Sequence, residues 1–261
     1  MEIKTIHYDE QCYMKGYIHT PYMASEQSCY PAMVIVPGGG FNSIPDAEAE
    51  RLCLAWMNAG YNAFYLHYHL ENEGKPLMPR PVEDLAWLIK TLKEHQTDYY
   101  LSGEITLCGL SIGGEIVSQY NGCYANPVFQ KKVAATKEEL SIDQCILAYG
   151  VTSFTAGFPK DSQKAQAMIE EVEDADSANK VTEESRPCFI WATWDDPVVP
   201  VKNSLNYIAA LQQKEIAAEV HLFDHGPHGL GLATKQTTKN EDDHIAHWFT
   251  LACEWLERRR K

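Results

Sequence analysis

Apolar positions along the chain recur with two alternating periods. Short apolar runs at Ala32–Val36, Asn62–Tyr68, Glu104–Cys108, Cys145–Tyr149, Cys188–Thr193 and Ala218–Phe223 predict strands. Between them lie Asp46–Ala59, Pro81–His95, Ile112–Tyr120, Ser204–Gln213 and Asp243–Arg258, which predict helices. In the second of these, Val82, Leu85, Ala86, Ile89 and Leu92 return every third or fourth residue, one apolar stripe on a helix. Gly60 is a stop signal for the first helix. Strands alternating with helices predict an α/β fold, a mostly parallel twisted sheet flanked by helices. The first 30 residues predict antiparallel edge strands. Residues 152–185 break the rhythm, irregular at first and then helical and acidic. They predict a small cap or lid inserted in a single domain that spans residues 1–261.

Composition narrows the class. Of 261 residues 45% are hydrophobic and 22% charged, a globular balance that supports one buried core. The 14 tyrosines and 6 tryptophans read mainly as packing. Thirty-six acidic against 22 basic residues leave a formal charge of −14, which repels phosphate backbones and anionic lipid surfaces. No nucleic-acid or membrane partner is expected. The one basic run, Arg258–Lys261, reads as a solvated tail after the last helix. Eight cysteines occur without a C-x-x-C pair, several inside apolar runs, which suits a reducing compartment. The first ten residues have no apolar core of a secretory leader, and no stretch approaches the length of a membrane span. The expectation is a soluble cytoplasmic protein, with a homodimer the commonest assembly open to it.

The chemistry enters at Gly109-Leu110-Ser111-Ile112-Gly113-Gly114, a G-x-S-x-G sequence. Alone the pattern is weak, arising by composition in about one chain in ten of this length. Here it follows an apolar strand and opens a helix, the context a nucleophile elbow needs. The turn crowds its flanking positions, so they must be glycine, and the Ser111 hydroxyl is pushed out at the sheet edge. A serine hydroxyl needs a general base oriented by a carboxylate, in the chain order Ser, acid, His. The strand Cys188–Thr193 ends in Trp194-Asp195-Asp196-Pro197-Val198-Val199-Pro200, and Ala218–Phe223 ends in Asp224-His225-Gly226-Pro227-His228-Gly229-Leu230-Gly231. Asp196 is favoured as the acid with Asp195 as the alternative, and His228 is favoured over His225. The glycines around His228 allow a sharp loop carrying an exposed imidazole. His67 and His69 alternate on a strand, and read as one buried and one exposed residue. His244 and His247 on the last helix read as structural. No metal site is expected.

Pro37-Gly38-Gly39-Gly40-Phe41 follows the first central strand, where consecutive glycines let N–H groups converge on one point. Gly39, Gly40 and Ile112 are the predicted oxyanion donors. A phosphate cradle is the weaker reading, because no Lys-Ser/Thr follows and G-x-G-x-x-G spacing is absent.

Together these four motifs, in order across residues 30–235, resemble bacterial α/β-hydrolase esterases related to acetyl xylan esterases and the carboxylesterase/feruloyl-esterase-like group. Pro79–Leu88 also resembles the helix before the elbow in that family. The resemblance implies hydrolysis of short acyl esters without a cofactor, acetylated sugars being a common substrate class. Two positions depart from the pattern: Pro37 stands where many relatives have His, and His67-Tyr68-His69 replaces a Tyr-Arg. Peptidases and amidases share the fold, but those with such activity usually carry an extra domain for which this length leaves no room. A catalytically inactive binding protein is the other alternative, and the presence of all three triad residues weighs against it.

Overall fold

The computed structural model describes residues 1–21, 29–70, 77–169 and 175–260. Strands are β1 (Glu2–His7), β2 (Tyr13–Ile18), β3 (Tyr30–Val36), β4 (Asn62–His67), β5 (Leu101–Leu110), β6 (Gln144–Ala148), β7 (Cys188–Thr193) and β8 (Ala218–Phe223). They form one sheet in the order β1-β2-β4-β3-β5-β6-β7-β8. The β1–β2 and β2–β4 pairings are antiparallel and the remaining five are parallel. The expected antiparallel edge is therefore present, and the topology is that of an α/β hydrolase.

Both faces of the central strands are buried, as parallel strands require. On one face Val34, Phe64, Leu107, Leu147 and Ile190 pack under α2 (Arg80–Glu94), α3 (Ile112–Cys123) and α7 (Lys202–Gln213). On the other face Ile35, Tyr65, Cys108, Ile146 and Trp191 meet α1 (Asp46–Asn58) and α8 (Asp243–Arg260). The predicted stripe of α2, Val82, Leu85, Ile89 and Leu92, lies wholly in the first of these cores.

Several boundaries differ from expectation for local reasons. β5 runs on through Gly109 and Leu110, because both pair with β6 up to the turn itself. Two short helices between α3 and β6, α4 (Pro127–Lys132) and α5 (Lys137–Leu140), were not foreseen. Each is set by its cap: Asn126 accepts from the Val128 N–H, and Thr136 and Glu139 form a reciprocal capping box. The described part of the basic run is not a tail. Arg258–Arg260 finish α8, where Arg258 pairs with Glu219 and Arg260 with Glu104.

The segment between β6 and β7 contains α6 (Ser162–Ala167) and a 3-10 turn at Ser177–Lys180. Part of the predicted cap, residues 170–174, lies outside the described residues. The described part is tied back by the Met78/Ile169 bridge and closed on itself by the Ser153/Asp176 bridge. No disulfide joins any of the eight cysteines. No described helix is long and apolar enough to cross a membrane.

Candidate active site

Ser111 sits between β5 and α3 with φ 55° and ψ −122°, a conformation that side-chain-bearing residues rarely hold. Its surroundings enforce it. A Cβ on Gly113 would stand 2.0 Å from the Val36 carbonyl oxygen, and one on Gly109 2.5 Å from that of Gly113. Backbone contact this close admits only glycine, which is the physical content of the motif. The turn is then stitched down: Ser111 N–H donates to Ala148 O, while Gly114 and Val151 N–H donate to Ser111 O.

The three predicted residues meet at the C-terminal ends of β5, β7 and β8. Ser111 Oγ lies 2.7 Å from His228 Nε2, and His228 Nδ1 lies 2.7 Å from Asp196 Oδ2. A carboxylate only accepts, so Nδ1 carries the proton and Nε2 is left to accept from the serine hydroxyl. Asp196 is fixed in turn, its Oδ1 accepting from the Val198 and Val199 N–H groups at 2.8 and 2.9 Å. Its side chain is 1% exposed and that of His228 is 14% exposed. The imidazole is thus mostly enclosed rather than exposed as its glycine-rich loop suggested, because the Tyr149 ring packs edge-on against it at 5.1 Å.

The two adjacent acids have different partners. Asp195 Oδ1 accepts from the Gly226 N–H at 2.8 Å, so it shapes the histidine loop and does not meet the imidazole. His225 is exposed and pairs with Asp224, whose carboxylate raises the imidazole above its ordinary value. The same loop is held by Gly231, whose N–H donates to Tyr149 Oη and whose carbonyl accepts from Trp248 Nε1.

On the opposite side of Ser111 is the glycine loop. Gly39, Gly40 and Phe41 have φ of 106°, 62° and 66°, and a Cβ on Gly39 would collide with the Ser43 carbonyl. Gly38 abuts the serine: a Cβ there would stand 3.0 Å from Ser111 Cβ. Ile112 is the first residue of α3, so its N–H has no acceptor within the helix. Tyr68, fully buried, places its hydroxyl 3.0 Å from Pro37 O and 2.9 Å from Gly38 O.

Sequence reasoning missed two acidic residues that the fold draws to this region. Glu48 on α1 sits 3.5 Å from Tyr149 Oη, and burial pushes its carboxyl up to about 7. Glu115 on α3 is fully buried, and burial pushes it up to about 8. It accepts from Gln119 Nε2 at 2.7 Å and from Ser177 Oγ at 3.1 Å, joining the helix behind the serine to the 3-10 turn. Both positions look like ordinary helical glutamates in the sequence, because nothing local announces their burial.

His67 and His69 are both half-buried, against the expectation of one inside and one outside. His69 lies beyond the end of β4, between Asp84 at 2.9 Å and Asp9 at 3.1 Å, and its hydrogen bond to the Asp84 carboxylate raises it above its ordinary value. Cys12, His69 and Asp84 have ligand atoms within 4.8 Å of one another, the one such group among the described residues. Burial pushes the Cys12 thiol up, and Arg80 Nε stands 3.1 Å from Asp84 Oδ1. A guanidinium already occupies the acid, so the group is an ion-pair network rather than a vacant metal cage.

A serine hydroxyl, an imidazole and a buried carboxylate in series on this sheet define the chain as an α/β hydrolase. Comparison with known proteins makes the family specific. The BD-FAE family profile matches residues 18–211, and the chain belongs to that family, an esterase-like branch of the hydrolases. The carboxylesterase Cest-2923 from Lactobacillus plantarum is 29% identical with a TM-score of 0.91, over 99% of this chain and 97% of its own. A sugar hydrolase from Lactococcus lactis is 28% identical with a TM-score of 0.85, over 99% and 98%. The endo-1,4-beta-xylanase B of Butyrivibrio fibrisolvens is 28% identical over an alignment of 226 residues that covers 82% of this chain. That match spans only 35% of the xylanase's length.

Proposed function

We propose that the protein is a serine carboxylic-ester hydrolase for short acyl groups, acetyl esters of sugars foremost. The observation that carries this reading is the unbroken Ser111–His228–Asp196 series, with two contacts of 2.7 Å. His228 takes the Ser111 proton as the oxygen attacks the ester carbonyl, while Asp196 stabilises the imidazolium. The carbonyl oxygen becomes an oxyanion held by the N–H groups of Gly39, Gly40 and Ile112. Collapse breaks the C–O bond, and His228 gives its proton to the departing alcohol. Water, deprotonated by His228, then attacks the acyl-serine, and the second collapse returns the carboxylic acid and the free serine.

The described residues of the 152–185 segment serve as the cap. Phe154 packs against Phe41 of the glycine loop at 6.4 Å, and Gly157 is in contact range of Pro200 of the acid loop. The segment therefore bridges both banks of the site. It also lines an open cleft of about 480 Å³, with Phe154, Pro159, Ala165 and Ile169 among its walls. A carbohydrate on the alcohol side is favoured by the relatives named for xylan and sugar hydrolysis. Eight cysteines with no disulfide among them favour a reducing cytoplasm as the place of work.

The test is hydrolysis and labelling together. Wild-type protein is expected to cleave p-nitrophenyl acetate and acetylated xylo-oligosaccharides much faster than amino-acid p-nitroanilides, and to react with a fluorophosphonate. Ser111→Ala is expected to lower kcat by ~10⁶ and abolish labelling. A variant that keeps activity within a few-fold, or a wild type inert to the probe, rejects the reading.

A further inference from the structure

Resting on the serine-hydrolase reading above, we propose that Tyr68 is the positioning residue of the oxyanion loop, its buried hydroxyl orienting the peptides that carry the Gly38 and Gly39 N–H groups. Tyr68 follows β4 and is wholly buried. Its hydroxyl has a single proton to share between the carbonyls of Pro37 and Gly38, a three-centre bond. In a planar trans peptide the C=O and N–H point in opposite directions. Turning these two carbonyls onto Tyr68 therefore turns the Gly38 and Gly39 N–H groups away from it. The next peptide is held in the same manner, since Asn42 N–H donates to Gly39 O and so orients the Gly40 N–H.

Among the described residues no other side chain donates to the carbonyls of these first two peptides. Pro37 has no side-chain donor, and Gly38, Gly39 and Gly40 have no side chains with which to resist rotation. Glycine backbone is the most permissive there is, so an unsupported run would sample many orientations and lose its aim. Tyr68 is itself immobilised from both sides. Its ring meets Phe41 edge-on at 6.0 Å, and the N–H of the next residue, His69, donates to the buried Asp84 on α2 at 2.9 Å. The ion-pair network around Asp84 thereby acts as the footing of the oxyanion loop, reached through one tyrosine.

The experiment compares Tyr68→Phe with Tyr120→Phe. Tyr120 is an equally buried tyrosine whose hydroxyl donates to Leu140 O at 2.7 Å, away from the glycine loop, and it controls for the loss of any buried hydroxyl. Active sites are counted by fluorophosphonate titration to completion, so kcat is read per folded site even if a variant folds incompletely. Tyr68→Phe is expected to lower kcat on p-nitrophenyl acetate by about 10–100-fold, less than outright deletion of a donor. KM should stay within about threefold, because the ground-state carbonyl uses the loop little. Affinity for an alkyl trifluoromethyl ketone, which Ser111 converts to an oxyanion adduct, should fall by the same factor as kcat. Tyr120→Phe should leave all three near wild type. The proposal is overturned if Tyr68→Phe keeps kcat and ketone affinity within about twofold, or if Tyr120→Phe matches its loss. In either case, wild-type protein that still labels and hydrolyses leaves the serine-hydrolase reading standing.

Discussion

The elbow after β5 and the paired loops after β7 and β8 deliver the two halves of one hydrogen-bonded series by opposite means. At the elbow, position is set by exclusion. Gly109 and Gly113 lie against backbone so closely that no side chain fits, and Ser111 has no alternative place to go. At the other edge, position is set by capture: Asp196 holds His228 and two N–H groups of its own loop, while Asp195 holds the Gly226 N–H of the neighbouring one. Adjacent, chemically identical side chains thus do different work, and only which group each accepts from tells them apart. Exclusion by backbone leaves a mark in the sequence that capture by side chains does not.

The contrast can be broken most forcefully at the captured side. Asp196→Asn is expected to keep the fold and lower kcat by ~10⁴, since an amide stabilises the wrong imidazole tautomer. Steady-state kinetics beside an unchanged unfolding midpoint would establish it, and a loss under tenfold would return the role to Asp195. At the excluded side the reverse split is expected. Gly113→Ala forces a methyl into the Val36 carbonyl and should cost about 3 kcal/mol of stability in urea unfolding. A Gly113→Ala protein as stable as wild type would mean that the elbow is softer than these contacts imply.

Smaller effects sharpen the comparison. Glu115, raised to about 8 by burial, stays protonated in the folded protein across the range where the unfolded chain has already lost its proton above about 4.5. Folding then binds a proton, so this group's contribution to stability falls as pH rises from about 4.5 to 8 and levels off beyond. Glu115→Gln should flatten that decline and gain about 1 kcal/mol or more at pH 8 relative to pH 5, read from denaturant midpoints across the interval. A parallel decline in both proteins would refute it. Asp195→Asn should have the least effect, a few-fold on kcat, because the amide oxygen can still accept from the Gly226 N–H. A loss as large as that of Asp196→Asn would erase the distinction between the two acids.

The alternation of strands and helices, the antiparallel edge, the elbow and the order of acid and base were all legible in the sequence. Each is written in a local period or in a short run whose residue types admit few conformations: buried parallel strands must be apolar throughout, and a crowded turn must be glycine. The small helices α4 and α5 carried legible caps in Asn126 and Thr136–Glu139, but their length left no apolar period to read. What only the tertiary structure decided is of another kind. The contact of Asp196 rather than Asp195 with His228, the enclosure of His228 by Tyr149, the burial of Glu115 against Ser177 and the hold of Tyr68 on the glycine loop join residues from 30 to more than 80 positions apart. Hydrogen bonds and burial depend on which surfaces meet in three dimensions, and one chain's spacing does not encode that distance.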